Sequence, residues 1–291
     1  MKSVLVSTTI LGLASAAYAD SSTYSSDFSN ADGNYWGSAT HTTFNGHSDL
    51  QLTSDYPDPN NGDSYFGTWA TGELENTTNI TGFNASFKFS FNNNNDGAWE
   101  SDGFSFLFGN LSDDMNGAGD YGHTWLSNWK GGEWGMNNFS RLGGGMSVDL
   151  ATYGNDYAHA RWGSQEVAYA DVSDDFANNV IYYGYDYALN DAHMATMYVD
   201  WDTNGALVMY IETPDNAYGA GIAKTEILRT NGFQGIDTTG FQFGFAGRVG
   251  GASWDILIDD VNIEYSYSTP VPGLGGIAFL AGIGAVRRRR R

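Results

Sequence analysis

Phenylalanine at every second position constrains this chain more than any other feature. Phe83, Ala85, Phe87, Phe89 and Phe91 alternate with Asn84, Ser86, Lys88 and Ser90, so an extended backbone carries one apolar and one polar face. The same period recurs at Phe104, Phe106 and Phe108, at Leu207, Met209 and Ile211, at Phe241, Phe243 and Phe245, and at Val261, Ile263 and Tyr265. Clusters of Gly, Asn and Asp separate these runs, and Asn204-Gly205 is a strong two-residue hairpin signal. No helical periodicity, fixed-length repeat or linker interrupts residues 20–268. A unit of about 250 residues built this way predicts an all-β fold, an antiparallel two-sheet jelly-roll sandwich with long loops.

Composition narrows the function. With no Cys among 291 residues, the chain has no disulfide framework, thiolate zinc site or cysteine nucleophile. Lys2 and Arg287 to Arg291 account for six of the 13 Lys and Arg, and all 34 acidic residues lie between Asp20 and Glu264. Seven bases are left among those acids, and such a surface repels phosphate backbones and anionic lipid, which argues against nucleic-acid binding.

Both ends read as addresses. Lys2, the mainly apolar stretch Val4 to Ala14 and the small-x-small triplet Ala17-Tyr18-Ala19 have the order of an export signal, which places a signal peptide at 1–19 and the mature start at Asp20. At the other end Thr269-Pro270-Val271-Pro272 precedes fourteen uncharged residues, Gly273 to Val286, and five arginines. As a helix those fourteen reach roughly 21 Å, short of the ~30 Å hydrocarbon layer, so a span would lean on snorkelling arginines. The layout resembles the PEP-CTERM type of bacterial sorting tail, although Val271-Pro272-Gly273 stands where the Pro-Glu-Pro core would be. Residues 20–268 are then the body and 269–291 a sorting or anchoring tail with a short hydrophobic helix. The expected location is the bacterial cell surface or beyond, with membrane contact only through the tail and a processing protease as a partner. A plain membrane anchor is the alternative.

Within the body, four segments in sequence resemble the legume-type (L-type) lectin family. Ser101-Asp102-Gly103-Phe104-Ser105-Phe106 is similar to its Ala-Asp-Gly-aromatic-x-Phe segment, and Gly131-Gly132-Glu133-Trp134-Gly135 to its Gly-Gly-x-x-Gly loop. Val148-Asp149-Leu150-Ala151-Thr152-Tyr153-Gly154-Asn155 is similar to Val-Glu-Phe-Asp-Thr-aromatic-x-Asn, and Phe241 to Tyr265 to the last sugar-facing loop and closing strand. The resemblance implies a concanavalin A-like fold and an extracellular saccharide or polysaccharide as partner. It also implies a site in which Asp102 accepts sugar hydroxyls, the backbone at Gly132 approaches a sugar oxygen and Tyr153 gives a stacking face. Asn155 would donate to sugar, and the Gly250-Gly251 loop would close one side. A carboxylate suits the first role because it offers several charge-assisted acceptor positions. An Asp-Gly turn is the structural alternative for Asp102.

The resemblance also implies a metal, Ca2+, for which Asp149, Asn155 and Asp156 are the candidate ligands. Ala151 stands where the family has a bridging carboxylate, and a methyl group cannot coordinate an ion that takes six to eight oxygens.

Other chemistries find less support. Asp200-Trp201-Asp202-Thr203-Asn204-Gly205 matches the first half of an EF-hand loop, but position twelve is Ile211 and strand alternation flanks both sides, so a hairpin turn is expected. The eight Glu residues are scattered, with no Glu-x-Asp-x-x-Glu strand of the kind a jelly-roll glycosidase carries. No Gly-x-Ser-x-Gly elbow occurs, and His41, His47, His123, His159 and His193 are too dispersed to suggest a ligand cluster. The sequence therefore predicts a non-catalytic, exported carbohydrate-binding protein. An adhesive matrix protein with a degenerate sugar site and a polysaccharide-cleaving glycoside hydrolase are the alternatives.

Overall fold

The computed structural model describes residues 19–44, 47–53, 65–72, 74, 79–92, 103–111, 145–151, 157–163, 165–172, 194–214, 221–249 and 255–268. Every regular element among them is a strand, and every strand pairing is antiparallel. Numbered in chain order, one eight-stranded sheet holds β1 (Ala19–Ser26), β3 (Thr40–Phe44), β4 (His47–Thr53), β6 (Asn79–Asn92), β11 (Ala195–Asp202), β12 (Leu207–Thr213), β13 (Ile222–Thr230) and β15 (Asp255–Ser268). Its order is β13-β12-β11-β6-β15-β4-β3, with β1 also on β15. The other sheet holds β2 (Asn34–Gly37), β5 (Tyr65–Ala70), β7 (Gly103–Gly109), β8 (Gly145–Ala151), β9 (Tyr157–Trp162), β10 (Gln165–Asp171) and β14 (Gln242–Val249), in the order β10-β9-β8-β7-β14-β5-β2. The two-sheet sandwich expected from alternation is the one observed.

The alternating phenylalanines form the layer between the sheets. Phe83, Phe87, Phe89 and Phe91 of β6 are buried and face Phe104, Phe106 and Phe108 of β7 and Phe243 and Phe245 of β14. Their rings meet edge-on, with centroids 5.3 Å apart for Phe83 and Phe243 and 4.7 Å for Phe87 and Phe245, the arrangement that the aromatic quadrupole favours. Polar residues of the same strands point the other way, as the period of two requires.

Two local devices shape the sheets. The Asn204-Gly205 signal is a hairpin turn between β11 and β12: Gly205, with φ +94°, donates to the Asp202 carbonyl, and the Asn204 amide donates to the Asp202 carboxylate. Glycine is favoured there because a side chain is strained at that φ. In β15 the register on β6 shifts between Asp259 and Asn262, where Asp260 adopts φ +46° and its carboxylate lies 2.6 Å from Lys88 Nζ. This bulge divides the far edge of β15, so that Ile256–Ile258 pair with β4 and Val261–Ser268 with β1. Among the described residues no helix is long and apolar enough to cross a membrane; the tail 269–291 and its expected helix lie outside them.

Because Phe83 touches Phe106, Phe108, Trp201 and Phe243 at once, Phe83→Ala should lower the unfolding free energy by about 3–5 kcal/mol in denaturant titrations. Tyr169→Ala, at a residue 63% exposed, should stay within about 0.5 kcal/mol of the parent.

Candidate functional site

The apolar face of the seven-stranded sheet is committed to the core, so its chemistry lies on the opposite face. Met146, Val148 and Leu150 of β8, Ala158 and Ala160 of β9, and Phe104, Phe106 and Phe108 of β7 all enter the core. Ser147 and Asp149, His159 and Arg161, and Ser105 therefore share the outer face. The register sets Tyr169, His159, Asp149 and Ser105 side by side across β10, β9, β8 and β7. A second row beside it holds Glu166, Arg161 and Ser147.

These residues form one charged cluster. Arg161 Nε donates to Asp149 Oδ2 at 3.1 Å, and its Nη2 lies 3.4 Å from Glu166 Oε2. His159 Nδ1 is 2.9 Å from the same Glu166 oxygen and 3.3 Å from Arg161 Nη2. One ring nitrogen cannot donate to the carboxylate and accept from the guanidinium together; the shorter contact identifies Nδ1 as donor to Glu166. Asp149 is fully buried and Arg161 nearly so, whereas the Glu166 side chain keeps 39% of its surface. The Ser105 and Ser147 hydroxyls stand beside the buried Asp149 carboxylate, Ser105 as its cross-strand neighbour on β7 and Ser147 two residues before it on β8.

Burial pushes the Asp149 carboxyl above the usual carboxylate range, and the Ser105 hydroxyl, the charges of Arg161 and His159, and the Ser147 hydroxyl offset part of that rise. Arg161 thus lowers the cost of an acid that the fold has taken entirely out of water. The two carboxylates of the cluster are both tied to Arg161 and one is sealed, an arrangement suited to clasping strands rather than to general acid–base work.

Of the residues expected in the site, only Asp149 is among those described. Asp102, Gly132, Tyr153, Asn155, Asp156, Gly250 and Gly251 lie outside them. The strand ends from which most of those segments continue are nevertheless among the described residues. Gly103 is the cross-strand neighbour of both Ala151 and Arg248, so the chain before β7, after β8 and after β14 leaves from one end of the seven-stranded sheet. The segment that holds Gly132 leaves β7 and rejoins β8 at the other end, where Gly109 pairs with Gly145.

Solved structures share this architecture. A Bauhinia forficata lectin in complex with GalNAc aligns with a TM-score of 0.53 at 14% identity, over 86% of this chain and 100% of that one. The fold is that of the legume lectins. Lectin I from Ulex europaeus, in complex with the methyl glycoside of α-L-fucose, gives 0.53 at 14% identity over 86% and 98%. The Griffonia simplicifolia lectin I-B4 in a metal-free form gives 0.52 at 16% over 85% and 99%. No protein-family model matches the chain, and no curated protein matches it significantly. At these identities the likeness is one of fold.

The described residues do not fit the calcium that the resemblance implied. Asp149 Oδ2 already accepts from a buried guanidinium, Ala151 beside it on the same face offers a methyl group, and the Ser105 and Ser147 hydroxyls beside the carboxylate are neutral. A divalent ion on the same carboxylate would face the Arg161 guanidinium and meet a repulsion of several kcal/mol even at an effective dielectric of about 20. Among the described residues no group of three His, Asp or Glu is arranged to hold a metal.

His159, Arg161 and Glu166 were not singled out as site residues from sequence. The signal available was the alternation of Tyr157, His159 and Arg161 with Ala158 and Ala160, which puts three polar side chains on one face of a strand whose core residues are small.

A carboxyl whose pKa is raised on folding contributes stability that is fully present below its unfolded pKa, about 3.9, and is lost as pH rises through the folded value. Asp149→Asn imitates the protonated form at every pH. The Tm of this variant minus that of the parent should therefore increase from acid to neutral pH in a melting series; a flat difference would place Asp149 in a solvated environment instead.

Proposed function

We propose that this chain is an exported carbohydrate-binding protein of lectin type, non-catalytic, whose sugar site is built from Asp102, Tyr153, Asn155 and the Gly250-Gly251 loop, with Gly132 as a further contributor. The observation that carries the reading is the adjacency of Gly103, Ala151 and Arg248, because the three segments that resemble lectin sugar-binding motifs continue from neighbouring strands at one end of one sheet. The likeness to lectins solved with GalNAc and with a fucoside supports a saccharide as the partner class. In this reading the Asp102 carboxylate accepts two sugar hydroxyls, the Asn155 amide donates to a third oxygen and the Tyr153 ring lies against the apolar face of the sugar. Shallow polar sites of this kind bind weakly one at a time, and display at a cell surface multiplies them.

Export and surface sorting are part of the proposal and rest on the two ends of the sequence. Ala17-Tyr18-Ala19 supplies the cleavage pattern, and Gly273 to Val286 with five arginines supplies the sorting tail. Mass spectrometry of the secreted chain should find Asp20 at its N-terminus.

A glycan array probed with the full chain, in calcium and in chelator, should reveal a restricted set of bound saccharides. Asp102→Ala should weaken that binding about tenfold or more, the usual consequence of losing a charge-assisted hydrogen bond. An array blank in both buffers would defeat the lectin reading, and binding unchanged in Asp102→Ala would defeat the site. Release of reducing ends from a polysaccharide would assign the fold to a hydrolase.

A further inference from the structure

We propose that Arg161 is a built-in replacement for a structural metal ion: its guanidinium supplies, as a permanent part of the chain, the positive charge that binds Asp149 on β8 to β9 and β10, and the fold stands without a divalent cation. The proposal concerns the stability of the fold and holds whether or not a saccharide binds.

Asp149 is the one candidate metal ligand among the described residues, and its wholly buried carboxylate has only the neutral Ser105 and Ser147 hydroxyls beside it apart from Arg161 and His159. Arg161 reaches it from the neighbouring strand at 3.1 Å and is itself withdrawn from solvent, so the pairing is fixed rather than one of several exposed options. The same guanidinium extends to Glu166 on β10, and Glu166 holds His159. One cation therefore ties three strands through two carboxylates and a ring, the kind of linkage a metal with several ligands provides. A planar fork with several N–H donors can do this because each donor points at a different acceptor. Ala151 fits the same account, since a second carboxylate there would face an ion that the chain does not need.

The experiment has two arms. In the first, the purified full chain is dialysed against chelator and melted with and without millimolar CaCl2 or MnCl2, each compared with NaCl at equal ionic strength, and its metal content is measured by mass spectrometry. Tm should change by no more than about a degree and metal should be far below one ion per chain; a cation bound well above its Kd would raise Tm by roughly 5–10 °C. Such a rise, specific to the divalent ion, or stoichiometric metal would overturn the proposal.

In the second arm, Arg161→Met removes the charge and keeps much of the volume. Tm at neutral pH should fall by roughly 10 °C, because an acid is left sealed without its counter-charge. Asp149→Asn together with Arg161→Met should recover more than half of that loss, the sign of a charge linkage between the two residues. A double variant as damaged as the single one, or a single variant as stable as the parent, would show that Arg161 acts through packing alone and would sink the idea. Should Arg161→Met fail to fold, the double variant and the metal arm still decide.

Discussion

The layer of phenylalanine rings between the sheets is the constraint from which the remaining structure follows. Apolar burial is non-directional, but rings spaced two residues apart on β6, β7 and β14 can interleave only if each strand keeps its register, since a slip by one residue would turn every ring to the other face. With no disulfide available, cohesion must come from packing, and this interlayer provides it. Fixing the inner face also fixes the outer one. Once Val148 and Leu150 enter the core, Asp149 must stand on the opposite side between Ser105 and His159, whatever its own solvation demands. The charged cluster is thus a consequence of packing on the far side of the same strands.

The long closing strand extends the same reasoning to the second sheet. β15 spans fourteen residues beside β6, longer than any single partner on its other side. The left-handed turn at Asp260 resolves this by letting one edge serve β4 and then β1. Lys88 of β6 holds the displaced carboxylate, so the irregularity is anchored by an ion pair. β1 is rich in serine and begins at Ala19, and its half-exposed alternation is stabilised mainly by the ladder to β15.

The legible part of the fold was the part with large side chains. Phe83 to Phe91, Phe104 to Phe108 and Phe241 to Phe245 announced strands because alternation of a bulky ring with a polar group has few other meanings. β9 and β10 were harder to read because the residues they turn toward the core are alanines, Ala158 and Ala160 buried and Ala168 and Ala170 partly so, which give little contrast with the intervening polar groups. The Asp149–Arg161 pair was not readable at all from local pattern. The two residues are twelve apart, and only the register of β8 on β9 makes them neighbours, a property of pairing rather than of either segment. The resemblance to lectins pointed correctly to the fold; it named Asp149 as a calcium ligand, whereas the cation observed on that carboxylate is Arg161, from a strand outside the motif.

Cations are scarce in this body, which makes their placement informative. Lys88 meets the bulge carboxylate, Arg229 meets Glu226, Lys224 sits 3.8 Å over the Tyr198 ring, and Arg161 is buried between Asp149 and Glu166. Each of these four is engaged within the two sheets, while the chain as a whole carries 34 acids against 13 Lys and Arg. An acidic surface of this kind attracts divalent ions diffusely, and that attraction weakens with added salt of any kind. Inside the cluster the situation differs: Asp149, fully buried, takes its counter-charge from Arg161, which is itself withdrawn from solvent. The linkage between β8, β9 and β10 is thereby set by the sequence rather than by the concentration of an ion in solution.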